Sequence, residues 1–202
     1  MLAKSPFLSP EEYLQLETQS STKHEYFDGE IVAMAGATDA HVTIALNLAS
    51  DLRSHLRGSG CRIFISDMKA RIDTRNRFFY PDLLVTCDSR DTETATYKRF
   101  PKLIVEVLSQ STESFDRGDK FNDYQTLESL QEYVLINSRH RRVEIFRRQT
   151  NGLWLFQTYD DCETFRLESI DYTGTFEMLY EDVSLEDVSL ERGDRGESDL
   201  VN

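Results

Sequence analysis

The chain is predicted to fold as an α/β (α+β) domain, with a mixed central β-sheet flanked by helices and an N-terminal helix and β-hairpin ahead of it. Three observations predict this. Hydrophobic spacing alternates between helical and strand-like along the sequence. The elements run helix, strands, helix, strands, an order that suits helices packed on one mixed sheet. The length, 202 residues, fits one domain with room for a real core.

The first element is a helix opened by Ser9-Pro10-Glu11-Glu12. Serine serves as N-cap, proline takes the first helical position, and Glu12 completes a capping box. This helix is expected to end near Glu17. A hairpin follows, His24–Phe27 and Glu30–Met34, joined by the turn pair Asp28-Gly29. Asp39 is read as the cap of a second helix, with Val42, Ala45, Leu46, Ala49, Leu52 and Leu56 as its apolar stripe and Gly58 and Gly60 at its end. Strands are then expected over Cys61–Ile65, Met68–Ile72, Phe78–Thr86 and Lys102–Leu108, with a turn at Arg75-Asn76-Arg77. A Ser/Thr/Asp-rich loop leads to a helix over about Asp116–Leu127. Further strands are expected over Glu132–Ile136, Arg142–Arg147, Leu153–Tyr159 (after an Asn151-Gly152 turn) and Thr164–Leu167. The expected organisation is one domain over 1–180 and an acidic tail over 181–202. In that tail Glu-Asp-Val-Ser-Leu occurs twice, and its polar composition argues for fraying.

Apolar residues make up 39% of the chain and charged residues 29%, the balance of a globular protein. No stretch is long enough to cross a membrane, and the first residues lack an apolar signal core, so the expected location is cytoplasmic. Cys61, Cys87 and Cys162 form no Cys-x-x-Cys pair and lie in or near apolar runs, so reduced, buried thiols are expected. The net charge of −13 argues against a simple nucleic-acid binder. Eight acids against two arginines put −6 of it in the tail and leave −7 for the body. Contact with DNA then needs a local basic surface, or metal ions that offset the carboxylates.

The chemistry concentrates in two apolar strands, Tyr80-Pro81-Asp82-Leu83-Leu84-Val85 and Pro101–Leu108, each carrying one acid. An acid in such a run is costly unless something pairs with it. Alternation places Asp82 with Leu84 and Thr86, and Glu106 with Ile104 and Leu108. If the strands are neighbours, the two carboxylates converge at one end of the sheet. Two hard oxygen ligands with open positions suit Mg²⁺ or Mn²⁺. Lys120, Tyr124 and Leu127 are spaced along one helical face, so Lys120 borders the side that packs on the sheet. From there it reaches the acids, or it snorkels to solvent and pairs with Asp116 or Asp123.

A resemblance sharpens this. Glu25–Glu30, His41, Ser66–Lys69, Tyr80–Asp82, Pro101–Ser109, Asp116-x-x-Asp119-Lys120-x-x-x-Tyr124 and Glu132-Tyr133 match, as a set, the putative restriction endonuclease family within the PD-(D/E)xK nuclease superfamily. The chain resembles that family from about Ser21 to Glu181. The resemblance implies a restriction-endonuclease-like core and metal-dependent cleavage of DNA phosphodiesters, with Asp82 and Glu106 as metal ligands and Lys120 as the catalytic lysine. The superfamily pattern places lysine two residues after the second acid, where this chain has Leu108. Similar proteins move the lysine to the following helix, which points to Lys120.

Glu30 is a further candidate ligand, because an acid from the N-terminal part of related nucleases joins the metal shell; the alternative is an exposed hairpin charge. His41 is read as structural or substrate-facing. Asp67 and Lys69 imitate the lost Asp-x-Lys spacing, and a solvated or phosphate-facing strand edge is their simpler reading. The arginines at 139, 141, 142, 147 and 148 could track a phosphate backbone or form a hairpin balanced by acids. Trp154 and Phe156 are assigned to core or interface packing. A homodimer is expected, because cutting both strands takes two sites. Two other functions stay open: a nuclease-like fold that binds or assembles without turnover, and a nuclease for RNA or for branched or damaged DNA.

Overall fold

A computed structural model describes residues 7–185 of the chain. Its elements are α1 (Pro10–Gln19), β1 (His24–Phe27), β2 (Glu30–Ala33), α2 (Asp39–His55), β3 (Arg62–Ile65), β4 (Lys69–Ile72), β5 (Arg77–Phe79), β6 (Leu83–Thr86), β7 (Tyr97–Lys98), β8 (Pro101–Leu108), α3 (Glu113–Arg117), α4 (Asp119–Tyr124), β9 (Glu132–Asn137), β10 (Arg142–Arg148), β11 (Trp154–Asp160), β12 (Thr164–Leu167), β13 (Tyr172–Thr175) and α5 (Phe176–Leu179).

Local chemistry accounts for the opening elements. The Ser9 hydroxyl accepts the Glu12 amide, and the Glu12 carboxylate accepts the Ser9 amide at 2.7 Å, which closes the capping box on α1. Asp28 and Gly29 both take positive φ, as a tight primed hairpin turn requires. Gly29 also passes so close to the Phe7 ring that a Cβ there would sit 2.3 Å from it.

The class holds, and the sheet divides in two. A six-stranded mixed sheet runs β11-β10-β9-β8-β6-β3, in which only β8 and β9 are parallel. A five-stranded sheet runs β2-β1-β5-β4-β7, and β12 with β13 forms a separate hairpin. The expected strand Phe78–Thr86 is the point of division. Pro81 has no amide hydrogen to give a ladder and holds Tyr80 extended. The chain therefore leaves the smaller sheet after Phe79 and enters the larger one at Leu83.

On one face of the six-stranded sheet, Ile44, Leu48 and Leu52 of α2 pack with Leu83, Val85, Val105 and Val107. On the other, Leu84, Ile104, Leu108 and Tyr133 pack with Ala70 and Phe79 of the smaller sheet and with Phe121 and Tyr124 of α4. The candidate site lies on this second face, between the two sheets.

Several expectations are corrected. The cap of α2 is Thr38, whose hydroxyl accepts the His41 amide; Asp39 is the first helical residue. The helix is rotated from the expected stripe, so Val42 and Leu46 are 53% and 62% exposed. The helix expected over 116–127 is two short ones, broken at Gly118, whose backbone (φ −110°, ψ −99°) is not helical. Cys61 and Cys87 are not reduced thiols but a disulfide. They flank the paired residues Arg62 and Thr86, so the antiparallel ladder sets them face to face with a Cα separation of 4.0 Å. Cys162 is a free cysteine and is exposed, not buried. Of the acidic tail, residues 186–202 lie outside the described ones. Its first turn is held: Asn47 donates to the Glu181 carbonyl at 2.9 Å, and Val183 and Leu185 pack against the core. Among the described residues no helix is long and apolar enough to cross a membrane.

Candidate active site

The register of the larger sheet builds the site. Leu84 pairs with Ile104 and Leu83 with Val105 in an antiparallel ladder. One step further, Asp82 stands opposite Glu106, on the same face. Asp82 marks the end of the ladder: its Oδ2 accepts the Val107 amide at 2.7 Å. Its Oδ1 lies 2.8 Å from Nε2 of His41, on the first turn of α2.

Lys120 does not snorkel outward. It is 5% exposed, and Tyr124 and Phe121 are buried beside it, so the helical face read from spacing is the buried one. Its ammonium lies 3.0 Å from Glu106 Oε1, 3.2 Å from Glu25 Oε1 and 3.4 Å from Asp116 Oδ1. Asp116, one of the two partners expected on the surface, is met inside. Asp123 pairs instead with Arg77 and Arg75. Tyr124 donates its hydroxyl to Glu106 Oε1 at 3.3 Å, and the Phe79 ring lies 5.7 Å from the ammonium.

Glu30 sits on the exposed turn end of β2, opposite Phe27, and forms no ion pair among the described residues. The hairpin acid that reaches the centre is Glu25. It was legible in principle: alternation puts Glu25 on the face of Phe27, which packs on Phe79 and Phe115 in the core. Glu25 also accepts the Tyr80 amide at 3.4 Å, at the crossing between the sheets.

Three carboxylates, from Glu25, Glu106 and Asp116, thus converge around the ammonium of Lys120, with Asp82 opposite Glu106 at the end of the neighbouring strand. Burial raises the Glu106 carboxyl well above its usual range; Asp116 and Asp82 push the same way and Lys120 opposes. Burial pulls on Lys120 in the opposite sense, but Glu106, Glu25 and Asp116 outweigh it and hold the ammonium well above its ordinary value. The centre is short of positive charge. Among the described residues no three His, Cys, Asp or Glu side chains form a ready cage for a metal ion. Two facing carboxylates with surplus negative charge do fit a hard divalent cation of the kind that keeps most of its waters.

The other residues singled out by sequence lie elsewhere. Lys69 is not on a solvated edge; it is buried, 4.9 Å from the Tyr80 ring. Asp67 pairs with Lys23 at 2.5 Å. The arginine run is balanced by acids: Arg139 with Glu113, Arg141 with Asp161, Arg142 with Asp160 and Arg147 with Glu132. Arg148 donates to the carbonyls of Leu130, Gln125 and Leu127. Trp154 packs edge-on against Phe121, while Phe156 is half exposed beside Phe146.

A mixed sheet flanked by helices is the architecture of the restriction-endonuclease-like class of folds. A crystal structure of a putative nuclease belonging to DUF820 from Anabaena variabilis ATCC 29413 superposes with a TM-score of 0.71, covering 86% of this chain and 97% of that one at 18% identity. The family model Uma2, described as a putative restriction endonuclease, matches residues 10–173, and the chain belongs to that family. It is also 40% identical to the uncharacterized protein slr1290 of Synechocystis sp. over 178 residues, 88% of this chain and 94% of that protein. To the uncharacterized protein sll1609 of the same organism it is 36% identical over 159 residues, 77% of this chain and 89% of the relative.

Proposed function

We propose that the protein is a metal-dependent endonuclease that hydrolyses DNA phosphodiester bonds, and that residues 1–180 act as one nuclease domain. The observation that carries this reading is the buried ammonium of Lys120, 3.0 Å from Glu106 on the strand next to Asp82. A lysine in that place restores the charge that Leu108 removes from the superfamily pattern.

In this reading Asp82 and Glu106 hold Mg²⁺ or Mn²⁺. Bound there, such an ion would lower the pKa of water and offset charge on a phosphoryl oxygen. The chain's residues do the rest. Glu106, already carrying Lys120 on one oxygen, keeps the lysine aimed at the strand end where a phosphate would sit. Lys120 orients the attacking water and offsets the negative charge that grows on the phosphorus-bound oxygens. Glu25 and Asp116 hold that ammonium charged. The scaffold around them is rigid, because β6, β8 and α4 are all core elements.

Supercoiled plasmid with Mg²⁺ or Mn²⁺ tests the proposal. The expected result is nicking by the wild type and loss in Asp82→Ala, Glu106→Ala and Lys120→Ala. Wild-type nicking that persists in the Asp82 and Glu106 variants would reject it. A chain that binds DNA without cutting it in any variant points to the reading as a nuclease-like binding protein. Two copies, one for each strand, are part of the proposal, and light scattering showing a monomer that makes double-strand breaks would remove that part.

A further inference from the structure

We infer that His41 is a positioning residue for Asp82, and that the first turn of α2 serves to pre-set the metal-binding carboxylate. The inference rests on the metal-dependent reading above. His41 lies far from Asp82 in the chain and does not belong to the acid–lysine pattern, yet its Nε2 lies 2.8 Å from Asp82 Oδ1. An ionised carboxylate only accepts, so Nε2 carries the hydrogen. The other carboxylate oxygen accepts the Val107 amide at 2.7 Å. One donor is backbone in the central sheet. The other is a ring on a helix whose core side, Ile44, Leu48 and Leu52, is fully buried.

Both oxygens of Asp82 are therefore held by groups that cannot drift, and each retains a lone pair for a cation. Without His41 the carboxylate keeps a single tether and turns about its side-chain bonds, since it stands at the open end of the ladder. The other ring nitrogen, His41 Nδ1, is buried and has no partner among the described residues. Partners of this kind behind a metal ligand are worth about 10–100-fold in metal affinity.

Calorimetric titration with Mn²⁺ in the absence of nucleic acid, on the full chain, tests the inference with His41→Gln, His41→Asn and Asp82→Asn. The glutamine amide reaches the place of Nε2 and restores the donor; the shorter asparagine does not. The expected result is Mn²⁺ binding weakened about 10–100-fold in His41→Asn and within about threefold of wild type in His41→Gln. Thermal unfolding of each variant establishes that it is folded at the titration temperature. Binding in His41→Asn as tight as wild type, with binding lost in Asp82→Asn, overturns the inference and leaves the metal-dependent reading standing. Equal weakening by Gln and Asn also overturns it, because shape and not the donor then matters. Wild-type binding untouched in Asp82→Asn, or absent altogether, removes the metal-dependent reading and this inference with it.

Discussion

Replacing Lys120 with methionine removes the one positive charge inside a group of buried acids. Its ammonium lies 3.0, 3.2 and 3.4 Å from Glu106, Glu25 and Asp116. Glu106 and Asp116 are each 3% exposed, so water cannot take over as partner. Breaking a buried pair from one side costs about 3–5 kcal/mol, because the remaining charge stays desolvated. For a chain of this size each kcal/mol lowers Tm by about 2–4 °C, so the expected loss is about 6–20 °C. The pH dependence follows from the sign of the Glu106 shift. Burial raises its folded carboxyl above the ordinary value, and removing Lys120 raises it further. A group with a raised folded pKa gives stability below its unfolded pKa and loses it as pH climbs through the folded one. The deficit of Lys120→Met is therefore larger at about pH 8 than at about pH 5. Differential scanning calorimetry at the two pH values measures it. A Tm within about 2 °C of wild type at the higher pH, or a deficit that does not shrink in acid, would refute the reasoning.

Two further outcomes follow from the same structure. The Cys61–Cys87 disulfide closes a loop of 26 residues' separation, and the chain-entropy relation assigns such a loop about 3.5 kcal/mol. The double variant Cys61→Ser/Cys87→Ser is expected to melt about 7–14 °C lower under non-reducing conditions; melting identical to wild type means the thiols are not joined. Burial lowers the Lys69 ammonium below its ordinary value, with Glu17 and Asp67 opposing. The unfolded chain then binds that proton more tightly, so the cost of Lys69 is present at neutral pH and fades as pH rises toward about 10.4. Lys69→Met is expected to raise Tm at about pH 7 and to lose that gain at alkaline pH. A lower Tm at neutral pH means the contact with the Tyr80 ring outweighs desolvation.

The acid pair and the lysine were legible because each breaks a local pattern. Asp82 and Glu106 interrupt apolar strands, and Lys120 lies on the packing face of a helix. Strand alternation puts each acid on a definite face, and the ladder between the two strands sets them opposite one another. The hairpin acid at the centre is Glu25 and not Glu30, because alternation puts Glu25 on the core face with Phe27. His41 carries no periodic signal at all, since its partner, Asp82, lies across the fold just before β6. The disulfide is illegible for a related reason: spacing along the chain says nothing of which strands pair.

The class of fold, most of the strands, the capping box, the hairpin turn and the residue types of the centre can be read from the chain alone. Those depend on contacts within a few residues, or on a periodicity that local geometry sets. That the sheet divides at Pro81, that Cys61 meets Cys87, and that Glu25, Asp116 and His41 join the acids is visible in the folded chain and not before it. Each of these depends on strand order and on which helix face turns inward, and the burial of the whole chain selects both together.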